Sequence, residues 1–245
     1  MSQNLDIQEF VIAIAVKQQN PTVLTADFLK YSGIVPSDWE LARPPILTNA
    51  AAQVVFQNGV SIIAEVNRIV FSELIASKEP QDVSIPVIAR KYVETLTQVN
   101  YQGISNNFRG YVLFDQKNST PRNYIFGNLL KPGPWQEFGT SPVQAALRFI
   151  YTLKEAQLFL DVNEVGLQLP DKSLLPAILF SANVSHTIVQ DDPSQRLANL
   201  VQAIGNWQTD LETYKEVVNT KFLSSGNYQV NLAPNEPLIF PKEVI

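Results

Sequence analysis

Cysteine is absent from this 245-residue chain, histidine occurs once, as His186, and methionine only at position 1. Without thiols there are no disulfides and no cysteine nucleophile, and the composition suits a reducing compartment. Tetrahedral zinc sites draw on several Cys and His ligands, so composition excludes one. Charge is also scarce, with Asp, Glu, Lys and Arg at 17% and a net charge of -5. The longest basic run is the pair Arg90-Lys91. Gripping a phosphate backbone takes clustered cations, so nucleic acid is not expected as a partner. Long apolar runs are missing too: Phe10 to Val16 is strand-sized, whereas a membrane-spanning helix needs about 20 residues. The first ten residues carry Asp6 and Glu9 where a signal peptide requires positive charge. The expectation is a cytoplasmic protein with no membrane partner.

Motifs that announce chemistry are missing as well. The chain has no P-loop, no Gly-rich dinucleotide fingerprint, no nucleophile-elbow serine, no EF-hand loop and no closely spaced acidic triplet. Gly127, Gly133 and Gly139 lie around Pro132 and Pro134 and read as turns. No cofactor, no metal and no catalytic residue is assigned.

What is present is 45% hydrophobic residues, enough for a substantial core, with much of the polarity carried by Asn and Gln. The chain also reads as if written twice. Phe10 aligns with Phe108, Trp39 with Trp135, Pro45-Ile46 with Pro142-Val143 and Asn67 with Asn163, all at offsets of 96 to 98. Each copy reads as a strand, an irregular connection through the Trp, and a hairpin. The first hairpin is Gln53 to Gln57 and Val60 to Phe71 around Asn58-Gly59, a dipeptide suited to a tight turn; the second is Phe149 to Leu153 and Gln157 to Leu169. The apolar positions change parity after Val66 and again after Val162, which predicts β-bulges or bends at Asn67-Arg68 and Asn163-Glu164. A helix follows the first hairpin, with Ile88, Ala89, Tyr92, Val93, Leu96 and Val99 on one stripe. The second copy has an added strand, Ala177 to Val189. A long helix then starts at Asp192 as N-cap, with Pro193 at N1, and ends near Gly226, kinked or split at Gly205-Asn206. A strand, Tyr228 to Leu232, and a Pro-containing tail close the chain.

The fold class expected is α+β: internally duplicated, with mostly antiparallel sheet and helices on one face, resembling paired split-βαβ (ferredoxin-like) units. Residues 1-245 form a single compact body, with a first repeat at 5-103, a second at 104-232 and the tail at 233-245.

His186 falls on an apolar strand and is expected to be a packed structural histidine. Asp191 and Asp192 precede a helix and read as capping residues. Trp39 and Trp135 read as packing anchors rather than ligand platforms. Ligand or partner candidates are the bulge residues Asn67, Arg68, Asn163 and Glu164, together with Tyr101 and Arg109, as polar groups converging on the seam between copies. Arg68 and Glu164 are expected to pair across it.

In the order hairpin, helix, Tyr101 to Phe114 strand, and a strand through Asn183 and His186 leading to the Leu197 to Phe222 helix, the chain resembles sporadically distributed bacterial hypothetical proteins of about this length. The resemblance covers most of the chain and implies neither an assigned activity nor a functional residue. The function expected is a non-catalytic module that binds or assembles with protein, self or other. The alternative is a small-molecule or regulatory domain at the seam; a third reading is a hydrolase using carboxylates or His186 with Asp191 or Asp192.

Overall fold

The structure is a computed structural model that describes residues 5-114, 120-168, 172-188 and 192-224. The strand Tyr228 to Leu232, the tail, Asp191 and Gly226 lie outside the described residues. The fold is α+β, a nine-stranded antiparallel sheet with helices.

Two long strands occupy the centre, β1 (Asp6–Val16) and β6 (Tyr101–Leu113), antiparallel with Phe10 opposite Phe108. Outside β1 come β5 (Arg68–Leu74), β4 (Ser61–Glu65), β3 (Ala51–Val55) and the two-residue β2 (Ile46–Leu47). Outside β6 come β9 (Leu174–Thr187), β8 (Gln157–Gln168) and β7 (Ala146–Thr152). The Asn58-Gly59 turn joins β3 to β4, with Gly59 at φ +86°, a conformation that disfavours a Cβ.

The helices are α1 (Ala26–Tyr31), α2 (Ile85–Thr95), α3 (Pro121–Tyr124), α4 (Pro193–Gly205) and α5 (Trp207–Glu216). Alternation along each strand turns one set of side chains beneath this layer: Phe10, Ile12 and Ile14, Ile62 and Ala64, Phe71, Phe108, Leu158 and Leu160, Phe180 and Val184 are all buried. Trp207, Phe10, Phe108 and Tyr214 stack in series at centroid separations of 5.3, 4.8 and 5.9 Å. This column ties the central strands to α5. The α2 stripe is buried at Ile88, Ala89, Tyr92 and Val93.

Several sequence expectations meet a different arrangement. No bulge lies at Asn67-Arg68: β4 ends at Glu65, Val66 and Asn67 form a hairpin turn, and β5 begins at Arg68. A two-residue turn pairs Ala64 with Ile69, so even positions on one strand share a face with odd positions on the next. That is the parity change. At Asn163-Glu164 the strand runs through in unbroken register with β9. Parity there changes because cover changes sides: Leu158, Leu160 and Val162 lie in the main core, whereas Leu167, with Val165 against it, joins a small cluster with Tyr111 and Ala177. Strand β9 flanks β6 as β5 flanks β1. The long helix does divide, with α4 ending at Gly205 and α5 beginning at Trp207. Its start is as expected: Asp192 accepts from the Gln195 N–H at 3.0 Å.

Candidate functional site

Among the described residues the opposite side of the sheet carries no helical layer, although at one end of it Tyr111, Leu167 and Ala177 form a small buried cluster. Residues turned to that side line up across eight strands, as in the row Val55, Ser61, Ser72, Val11, Asn107, Asn183, Phe159, Ile150. Two residues along runs a second row, Gln53, Ile63, Val70, Ala13, Ser105, Ser185, Gln157, Thr152. All are half-buried or exposed. Amides in the centre are tied in place: Asn183 Nδ2 donates to Asn107 Oδ1 at 2.6 Å, and Asn107 Nδ2 donates to the Val11 carbonyl at 3.2 Å. Three arginines on this side are paired locally, and Arg43 Nη2 donates to the Gln53 amide oxygen at 2.9 Å. Arg68 donates to Glu65 at 2.7 and 3.0 Å, Arg148 to Asp161 at 2.6 and 2.8 Å, and Arg109 lies 3.5 Å from Glu9. The surface is thus a broad field of hydroxyls, amides and short aliphatics with no net excess in these pairs.

A second concavity lies where α5 meets the ends of β1 and β5. Leu5, Ile75, Val83, Trp207 and Leu211 supply apolar walls, Lys78 and Lys215 reach its rim, and its volume is about 320 Å³. Beside it Glu73 is fully buried, accepting from Lys78 Nζ at 2.5 Å and from the Ser84 and Ile85 N–H groups at 2.8 and 3.0 Å. A carboxylate at those two N–H groups satisfies orphan donors of the first turn of α2 and sits favourably in its dipole.

The third feature is polar and interior. Asp210 on α5 accepts from Asn106 Nδ2 at 2.7 Å and contacts His186 Nε2 at 2.8 Å. Asn106 is wholly buried, and its Oδ1 has no hydrogen-bond partner. His186 is therefore packed under the helices, and its carboxylate partner is Asp210; the expected Asp192 caps α4 instead. Single-sequence reading missed Asp210 and Asn106, although Asp210 breaks an otherwise apolar stripe between Trp207 and Leu211, and Asn106 falls among buried β6 positions.

The six sequence candidates do not converge. Asn67 sits in the β4–β5 turn, where its carbonyl accepts from Val16 N–H at 2.9 Å. Arg68 is paired with Glu65, not Glu164. Tyr101 is buried, its hydroxyl donating to the Leu96 carbonyl at 2.9 Å. Arg109 lies mid-strand beside Glu9 on the uncovered side. Asn163 shares a row with Leu179 and Tyr111, and Glu164 is exposed opposite Ile178. The Arg68 row crosses β6 at Gly103 and the Asn163 row crosses it at Tyr111, an offset of about 27 Å at strand rise. The two tryptophans also have unlike surroundings: Trp39 meets Phe56 of the β3 end edge-on at 5.2 Å, and Trp135, 45% exposed, stacks on Phe126 at 5.8 Å.

Among the described residues no group of three or more His, Asp or Glu is arranged to hold a metal ion, and no helix is long and apolar enough to cross a membrane. No protein-family model and no curated protein sequence matches the chain.

Proposed function

We propose that this chain is a cytoplasmic, non-catalytic protein-binding module that receives its partner on the uncovered side of the sheet. The observation that carries this is the pair of eight-residue rows. Eight strands at about 4.8 Å spacing and roughly 14 Å of strand length for two rows cover on the order of 500 Å², the larger part of the ~800 Å² that one partner contributes to a standard interface. A field of that breadth suits a macromolecule better than a small ligand, which is held in a closed concavity. Three of its arginines, Arg68, Arg109 and Arg148, each lie beside a carboxylate, and Arg43 donates to the Gln53 amide oxygen; cations already engaged in this way favour a protein surface recognised through amides and aliphatics over a phosphate backbone.

The test compares capture from native lysate by the wild-type chain with two surface variants. I63D/V70D charges the uncovered side, and V87D alters an exposed position on α2. Loss of one defined partner with I63D/V70D and its retention with V87D is expected, with cross-links mapping to β1, β5 and β6. Retention with I63D/V70D and loss with V87D overturns the reading.

The α5 cleft favours a second reading, a small-molecule or regulatory site at the seam, because apolar walls meet polar groups of both signs there, Lys78 and Lys215 with Asp6 and Glu79. Its ligand would be a small amphipathic molecule, and W207A would abolish binding.

We further infer an ancestral duplication of split-βαβ type. It is supported by the mirrored strand order about β1 and β6, and by the path from β5 through α2 to β6 across β1. The resemblance to sporadically distributed bacterial proteins stands as a proposal of the same kind.

A further inference from the structure

We propose that β7 pairs with β7 of a second copy of this chain, antiparallel about a two-fold axis through Phe149, joining two sheets edge to edge. This does not depend on the uncovered face.

A sheet has two outer strands, and here they differ. On one side β2 is two residues long and follows Pro44-Pro45, which is how natural sheets blunt an edge. On the other, β7 is seven residues in unbroken register with β8 and contains neither proline nor glycine. Among the described residues nothing hydrogen-bonds to its outer flank.

The phase of that flank follows from the hairpin. The Leu153 N–H donates to the Ala156 carbonyl at 2.9 Å, and hydrogen-bonded pairs alternate from there. Leu147, Phe149 and Tyr151 thus direct their backbone groups to β8, while Ala146, Arg148, Ile150 and Thr152 direct theirs outward. The same four have exposed side chains, Ile150 at 59%.

An axis through Phe149 matches this phase over the whole strand. Arg148 falls opposite the partner's Ile150 and Ala146 opposite the partner's Thr152, so outward-directed groups meet their like in roughly eight backbone hydrogen bonds. Leu147, Phe149 and Tyr151 meet on the helix side, where Phe149 already packs on Phe222 at 5.1 Å, and extend the apolar layer across the axis. The single charge of β7 faces a neutral residue. Moving the axis to Arg148 would set two guanidinium groups opposite each other, and moving it to Ile150 would shorten the overlap.

Sedimentation velocity of the full chain over a wide concentration range tests this, and a concentration-dependent dimer is expected. I150P removes an outward N–H that no described residue of the same chain uses, so the fold is retained and the dimer lost. I150K sets like charges opposite each other twice per interface and should weaken the dimer about tenfold, whereas I150E sets a carboxylate opposite each Arg148 and should preserve it. F149C supplies the chain's only cysteine at the axis, where oxidation should give a covalent dimer faster than for L47C at the opposite edge. A monomer at every concentration, a dimer indifferent to I150P and I150K, or equal weakening by I150E and I150K overturns the proposal.

Discussion

Replacing Asp210 with alanine removes the one acceptor shared by His186 Nε2 and Asn106 Nδ2, at 2.8 and 2.7 Å. Asn106 is 0% exposed and would keep only a 3.4 Å contact from Nδ2 to the Ala203 carbonyl, with Oδ1 already unpartnered. His186, its side chain 11% exposed, can recover part of its loss from solvent. Orphaning buried donors costs about 1–3 kcal/mol each, and stripping one partner from a buried charged network costs about 3–5 kcal/mol. D210A should therefore lose about 3–5 kcal/mol, roughly 6–20 °C in Tm at 2–4 °C per kcal/mol for a chain of this size. The double substitution N106L/D210L removes donor, acceptor and the unpartnered Oδ1 together and should recover most of that loss. Calorimetry and urea unfolding followed by circular dichroism measure both. D210A within about 1 kcal/mol of wild type, or N106L/D210L as unstable as D210A, would refute the reasoning.

The carboxylate of Glu73 anchors the first turn of α2, so E73A should cost about 2–4 kcal/mol and lose hydrogen-exchange protection at Ser84 and Ile85 before the sheet does. G59A, at φ +86°, should cost about 1–2 kcal/mol in urea unfolding, with the strands unchanged by circular dichroism. Burial pushes the Tyr92 phenol up to about 12 and raises Tyr101, Tyr111 and Tyr214, Tyr111 with help from the Asp6 carboxylate. Folded values above the unfolded one of about 10 mean this contribution is complete below pH ~10 and disappears as pH climbs through the folded values. Phenolate absorbance from these residues should therefore appear together with loss of the far-ultraviolet signal; titration near 10 with the fold intact would contradict it.

Local physics was readable where one residue type has one good solution. Asn58-Gly59 marked its turn, Asp192-Pro193 marked the start of α4, and the stripes of α2, α4 and α5 marked their buried faces. The reading failed where periodicity has two causes. A parity change can be a bulge, a hairpin or a change of covered face, and Val60 to Phe71 looked like one strand because Val66-Asn67 carries no glycine or proline to announce a turn. Asn67 and Arg68 are linked to Asn163 and Glu164 by sequence equivalence alone. Register separates them, since Arg68 and Asn163 are far apart along the strands and Arg68 finds Glu65 three residues away.

By itself the sequence determined the α+β class, through abundant apolar residues in strand and helix periods, and it holds no cysteine and one histidine. Alternation and capping act over a few residues, so they survive without a fold. Only the tertiary structure decided which strands are central and which are edges, that no described residue pairs with the outer flank of β7, and that His186 and Asn106 both meet Asp210 across distant stretches of chain. Such pairings are chosen by the summed burial of a whole sheet under its helices, a quantity no short window of residues contains.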